Sequence, residues 1–210
     1  MPLPDSAGRT ANRRGRATRR ALLSAAVEAL ATGDPAAVSA NRIAKAIGVT
    51  WGTIQYQFGD ADGFWAAVLH HTAERRGDTV TASDSRASLR ARVAGIVDTL
   101  YDGLEAPDSR AIENLRAALP RDPTELDRLY PATAAELRSW GQTWADMCQR
   151  AFADLKVDPD RVHKVAMFIP GAMRGLVSEK QLGSFNDLDV ARDGLTSAIV
   201  AYLAGSGATG

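Results

Sequence analysis

"IAKAIGVTWGTIQYQF", residues 43–58, sets two short apolar-spaced runs on either side of a single glycine and closes in glutamines and aromatics. Ile43, Ala44 and Ile47 recur at helical spacing before Gly48, and Ile54 and Phe58 do so after it. Glycine adopts the left-handed backbone conformation that ends a helix without a Cβ clash, so Gly48 predicts a corner that Val49 plugs. Ser39 is placed to cap the helix before the corner and Thr50 the helix after it. Two capped short helices about a Gly-Val corner predict a helix-turn-helix.

In that motif the first helix crosses the DNA backbone and the start of the second enters the major groove. With Ile54 and Phe58 turned inward, Trp51, Gly52, Thr53, Gln55, Tyr56 and Gln57 are the outward candidates. Glutamine can bond adenine in a bidentate manner, and Trp51 or the Thr53 methyl can rest on a thymine methyl. Gly52 lets the helix start approach closely, while Thr53, Tyr56 and the helix-start amides suit phosphate. Asn41, Arg42 and Thr50 complete the candidate contacts around the corner. The same pattern would serve a plain helical hairpin with Gly48 as a mere corner. The residues ahead of it favour DNA: Arg9, Arg13, Arg14, Arg16, Arg19 and Arg20 are opposed only by Asp5 before Glu28, and residues 1–17 read as a disordered basic arm whose Arg13, Arg14 and Arg16 join the candidate contacts.

The chain as a whole is formally neutral, with 25 Lys and Arg against 25 Asp and Glu over 210 residues. Residues 1–76 nevertheless carry about four net positive charges and residues 77–210 about four net negative ones. A hydrophobic content of 45% can fill a sizeable core. Cys148 is the only cysteine, which rules out an intrachain disulfide and a cysteine metal cluster and suits a reducing cytoplasm. His70, His71 and His163 lack metal-ligand spacing, so no metal and no cofactor are assigned. No stretch approaches the roughly 18 uncharged apolar residues of a membrane span.

The rest of the chain reads as helix after helix with no alternating strand pattern, an all-α protein. Thr18 is placed to cap a first helix carrying Leu22, Ala26, Ala29 and Leu30, which Gly33-Asp34-Pro35 stops. Asp60 or Asp62 opens a fourth helix with Phe64, Trp65, Val68 and Leu69 on one face. "GDTVTASDSR", residues 77–86, is a boundary or a break in that connecting helix. Helices are then predicted over 86–105, 109–119 and 123–155, the last bent or restarted at Pro131. Another carries Val162 to Leu176 and is interrupted at Pro170-Gly171, and a last one carries Leu188 to Tyr202.

"SANRIAKAIGVTWGTIQYQF" followed by "GDADGFWAAVL", residues 39–69, resembles the DNA-binding domain of TetR-family transcriptional regulators. The resemblance covers residues 18 to about 70 and rests on Ile43, Ala44, Gly48, Val49, Thr50, Gly52, Thr53, Ile54 and Phe58. It implies a homodimer reading a palindromic operator with its helix-turn-helix head, residues 18–62, and a variable effector-binding and dimerisation domain, residues 63–204. It implies a repressor released by a small molecule, with the last two helices, about 159–180 and 187–204, pairing with their symmetry mates. Two positions depart from the family pattern: Gln55 stands where a phosphate-binding tyrosine is usual, and Ala61 where a lysine opens the fourth helix.

Beyond the head, the stretch from 131 to 155 puts Trp140, Trp144, Met147 and Cys148 near one broad apolar face, and Tyr101, Phe168 and Met173 lie on helices that can face it. Such stripes serve as plain core more often than as ligand lining; here they also suit an adaptable, largely apolar effector pocket. An enzyme fares poorly, since the chain has no Gly-rich phosphate loop, nucleophile elbow or metal motif. The remaining alternative is a protein–protein adaptor that keeps the head only as a scaffold, which Gln55 and Ala61 favour.

Overall fold

The computed structural model describes residues 6–76, 87–183 and 187–205, with side chains described from Gly15 onward apart from residues 35, 76 and 105. The described residues are helical throughout, without strands: α1 (Ser6–Ala31), a single 3-10 turn (Pro35–Ala37), α2 (Ala40–Ala46), α3 (Trp51–Phe58), α4 (Ala61–Arg76), α5 (Leu89–Glu105), α6 (Pro107–Ala118), α7 (Pro123–Leu129), α8 (Pro131–Phe152), α9 (Pro159–Leu182) and α10 (Leu188–Ala204). The break expected at residues 77–86 lies outside the described residues.

Two expectations are corrected. The first helix starts at Ser6 instead of at a Thr18 cap, so residues 6–17, read as a basic arm, form its first turns. Arginine and alanine are good helix formers, and residues 6–31 contain no proline to stop the helix growing backwards. The interruption expected at Pro170-Gly171 is also absent: α9 runs through Pro170 without a break.

The chain divides into two compact units. One takes in residues 1–75 and 107–138, hence α1 to α4, α6, α7 and the first turns of α8. Its buried side chains include Leu22, Ala26 and Leu30 from α1, Ile43 from α2, Ile54 from α3, Phe64, Val68 and Leu69 from α4, and Ala111, Ile112 and Leu115 from α6. Helix α6 lies against α1, and its Asn114 donates from Nδ2 to the Leu30 carbonyl at 2.6 Å, closing the end of α1. The restart at Pro131 has a specific partner. Asp62, in the first turn of α4, accepts from the amides of Ala132 and Thr133, each at 2.8 Å, so an acid from one helix caps the exposed amides of another.

The other unit holds residues 76–106 and 139–210. Val93, Ile96 and Val97 of α5, Cys148, Ala151 and Phe152 of α8, Val165, Ile169 and Met173 of α9 and Ile199 of α10 form its core. Arg92 is almost fully buried there and donates to the Ala151 carbonyl at 2.6 Å, at the end of α8, and to both carboxylate oxygens of Asp154. Those Arg92 hydrogen bonds hold the Asp154 carboxyl below its ordinary value.

The continuity of α9 has a compensating contact. Proline has no amide hydrogen, so Pro170 cannot bond the carbonyl four residues back, at Ala166. The indole Nε1 of Trp144 donates to that carbonyl at 2.8 Å. Ala166 is buried, so the indole supplies its carbonyl with a donor that neither Pro170 nor water provides.

Trp144→Phe is therefore expected to destabilise the protein by about 1–3 kcal/mol, the cost of an unpaired buried carbonyl. Pro170→Ala should recover part of this loss in the Trp144→Phe background, because an alanine at that position would supply its own amide. A double-mutant cycle in urea measures the coupling, and strict additivity would refute it.

Because the folded carboxyl of Asp154 titrates below the unfolded one, its stabilisation is complete above the unfolded value of about 3.9 and is lost as pH falls through the folded value. Asp154→Asn should lower the denaturation midpoint at neutral pH, and the gap from the parent protein should narrow in acid. A gap that stays constant from pH 7 down to pH 2 would rule this out.

Candidate nucleic-acid interface

The helix-turn-helix forms as its residues dictate. Ser39 accepts from the Arg42 amide at 3.3 Å and caps α2. Gly48 takes φ +73°, and the following amide, of Val49, donates to the Ala44 carbonyl at 2.9 Å, which closes the corner. Thr50 precedes α3 in extended conformation, but its hydroxyl makes no capping bond and lies 3.4 Å from the Thr53 hydroxyl instead. The expected Thr50 side-chain cap is thus corrected; its carbonyl takes up the Thr53 amide at 3.0 Å.

Asp60, the first of the two acids considered, opens α4: its carboxylate accepts from the Gly63 amide at 2.8 Å and its carbonyl from Phe64. Gly63 matters for a second reason. A Cβ there would stand 2.1 Å from the Phe58 carbonyl oxygen, so only glycine lets α4 start this close to the end of α3. The sequence reading passed over Gly63; its only signal was a glycine in the first turn of a helix.

Around this frame Ile54 is fully buried, and Gly52, Gln55 and Tyr56 are exposed, Tyr56 to 86%. Asn41, Arg42 and Thr50 are exposed as well, while Trp51 and Thr53 are half-buried. Arg42 makes an exposed ion pair with Asp34 at 3.1 Å, so part of its charge is answered within the chain. Of the arginines on α1, Arg16 and Arg20 are exposed and, with Ala17, Ala21 and Ser24, line an open hollow of about 560 Å³. The side chains of Arg13 and Arg14 lie outside the described residues.

Gln57 is a correction. It was expected to face outward with Gln55, but it is half-buried, its Nε2 donates to the Gly15 carbonyl at 3.3 Å, and its own carbonyl accepts from Arg19 Nη1 at 2.6 Å. The reason is helical geometry. Residue 57 lies three past Ile54, so it shares the inward side of α3, where the extended α1 meets it.

The residues proposed for an effector are gathered only in part. Tyr101, Cys148 and Met173 sit together in the core, with Trp144 packed against them. Arg192 and Lys180 stand over the Tyr101 ring, at 4.8 and 5.4 Å from its centroid. Burial pushes the Cys148 thiol up to about 12, so it stays protonated and unreactive. Met147 is buried and Trp140 half-buried, whereas Phe168 stands apart with 44% of its surface exposed.

Residues 22–68 match the family model of bacterial regulatory proteins of the tetR family. A crystal structure from Rhodococcus sp., described as a TetR-family transcriptional regulator, is similar over 88% of this chain and 97% of its own, at 21% identity and a TM-score of 0.60. No curated protein matches the chain. The match places a TetR-type helix-turn-helix domain at residues 22–68, and the structural likeness shows that the shared fold extends beyond this head. No helix among the described residues is long and apolar enough to cross a membrane.

The difference between the two glutamines is measurable. Gln55→Ala and Tyr56→Ala should leave unfolding free energy within about 0.5 kcal/mol of the parent protein, as exposed substitutions do. Gln57→Ala should cost about 1 kcal/mol through its lost bond to α1. Equal losses for Gln55 and Gln57 in denaturant titrations would contradict this division.

Proposed function

We propose that the protein binds a palindromic operator as a homodimer and is released from it by a small molecule, acting as a repressor in the cytoplasm. The observation that carries the operator reading is the two-sided character of α3: Ile54 is fully buried while Gln55 and Tyr56 project into solvent beside Gly52. A helix anchored on one face and bare on the other can lay that face into the major groove. In this reading Gln55 and Trp51 contact bases, and Thr50, Thr53, Tyr56, Asn41 and Arg42 contact the backbone, with Arg13, Arg14 and Arg16 adding charge. Residues 18–62 do the reading, and residues 63–204 carry effector binding and dimerisation.

The homodimer is supported by the outer faces of α9 and α10. Phe168, Gly171, Gly175 and Leu182 share one face of α9 and are exposed; Val190, Gly194, Ala198 and Tyr202 do the same on α10. Large apolar groups beside small ones allow two helix pairs to interlock closely. The effector reading draws on Tyr101, Trp140, Trp144, Met147, Cys148, Phe168 and Met173 and on linkage. A ligand that weakens operator binding a hundredfold needs about 2.7 kcal/mol of differential affinity between the two conformations, within reach of a mostly apolar molecule.

Gel shift against DNA upstream of the chain's own gene tests the operator reading. A sequence-specific shift is expected, with Gln55→Ala costing roughly 1–3 kcal/mol and relaxing preference at one symmetric pair of positions. Absence of any shift at low salt would favour an adaptor that retains the helix-turn-helix as scaffold.

A further inference from the structure

Arg19 belongs to the run of arginines that reads as a phosphate-binding surface, yet its surroundings differ from those of its neighbours. It is half-buried, and its guanidinium lies 4.2 Å from the centre of the Phe58 ring. From there Nη1 donates to the Gln57 carbonyl at 2.6 Å, and one turn earlier on α1 the Gly15 carbonyl accepts from Gln57 Nε2 at 3.3 Å. Phe58 in turn meets Phe64 of α4 edge-on, with ring centres 5.0 Å apart. Arg16 and Arg20, on the same helix, are exposed.

The last carbonyls of a helix have no partner within it and carry partial negative charge, so a guanidinium there is held by both hydrogen bonding and the helix dipole. The flat face of the same group rests on an aromatic ring, an arrangement that lysine's point charge does not reproduce. Helix α3 has eight residues, too few to hold a direction by itself, and the bonds from α1 grip its last turn. Base contacts are lost when donor and acceptor drift by a few tenths of an ångström beyond about 3.2 Å, so the direction of α3 decides whether Gln55 reaches its base.

We infer that Arg19, with Gln57, is a positioning residue for DNA recognition, fixing α3 against α1 and acting on base readout through the helix instead of by touching phosphate. This rests on the operator-binding reading above. It assigns a specificity role to a residue whose charge suggests a sequence-independent one.

The two roles differ in salt dependence, because each phosphate contact contributes about 0.9 to the slope of log affinity against log salt, whereas a positioning residue contributes none. The parent protein is first used to select a preferred duplex from a random-sequence library. Arg19→Met and Arg19→Lys are then measured on that duplex and on a scrambled one across a salt series, with Arg16→Ala as the phosphate-contact control. Both Arg19 variants should lose about tenfold on the selected duplex, keep scrambled binding within about twofold, and leave the selected-duplex slope unchanged. Arg19→Lys, the milder change, decides the matter if Arg19→Met does not fold. A uniform loss on both duplexes with a slope shallower by about 1.8 in Arg19→Met, one contact from each protomer, or no loss on either duplex, overturns the assignment.

Amide hydrogen exchange on the DNA-free protein gives a separate readout. Exchange at residues 57–59 should accelerate in both Arg19 variants and not in Arg16→Ala; unchanged exchange refutes the clamp whatever the DNA shows. If the parent protein selects no duplex, the operator reading fails, and with it the recognition role of Arg19, while the exchange experiment still decides the clamp.

Discussion

A helix leaves amides unpaired at its start and carbonyls unpaired at its end, and in this protein that constraint is met across the fold as well as along the chain. Asn114 of α6 closes the end of α1, Arg19 of α1 closes the end of α3, and Asp62 of α4 opens α8. In the other unit Arg92 of α5 closes the end of α8 and Arg161 of α9 the end of α10, where it donates to the Tyr202 carbonyl at 2.6 Å. Trp144 meets the same need inside a helix, at the carbonyl that Pro170 leaves unpaired. Apolar packing is non-directional and accounts for most of the stabilisation; these contacts are directional and set where each helix end lies. Each contributes about a kilocalorie or two, small beside the burial term, but total stability is itself only of order 10 kcal/mol.

The face proposed for recognition inherits its geometry from this arrangement. Helix α3 is short, and it is gripped at its last turn by α1, approached by α4 through the space that Gly63 leaves, and fixed at its start by the corner at Gly48. With three sides committed, the outward side is free to carry residues of no structural use. Tyr56 and Gln55 are such residues, with Tyr56 left 86% exposed. The departure from the family at Gln55 falls on this bare face and not among the supports.

The region proposed for an effector follows a different logic. Most of its aromatic and sulfur side chains are held by named contacts: Trp144 by a backbone carbonyl, Tyr101 by two cations, Cys148 and Met173 by the core. A ligand that used Trp144 as a hydrogen-bond donor would therefore have to take it from Ala166, coupling its binding to the shape of α9. The exposed apolar side chains of α9 and α10 contribute nothing to the single chain's core, which is why they suit an interface between copies.

Much of this was legible in the sequence because local rules govern it. Gly48, Ser39, Asp60 and the three-four spacing of apolar residues specified the helix-turn-helix, and the family resemblance follows from those same positions. Pro131 marked the restart of α8, a matter of neighbouring residues. The reading failed where a side chain answers to a residue far along the chain. Arg19 and Gln57 look like solvent-facing polar groups until α1 is extended back to Ser6 and laid on α3; Asp62 looks like a charge serving its own helix until Thr133 is brought to it, 71 residues away. Pro170 looks like a break until Trp144 supplies the missing donor. Periodicity and capping are encoded within a few residues and so determine which helices form; which polar group closes which helix end depends on distances that exist only after the helices have packed.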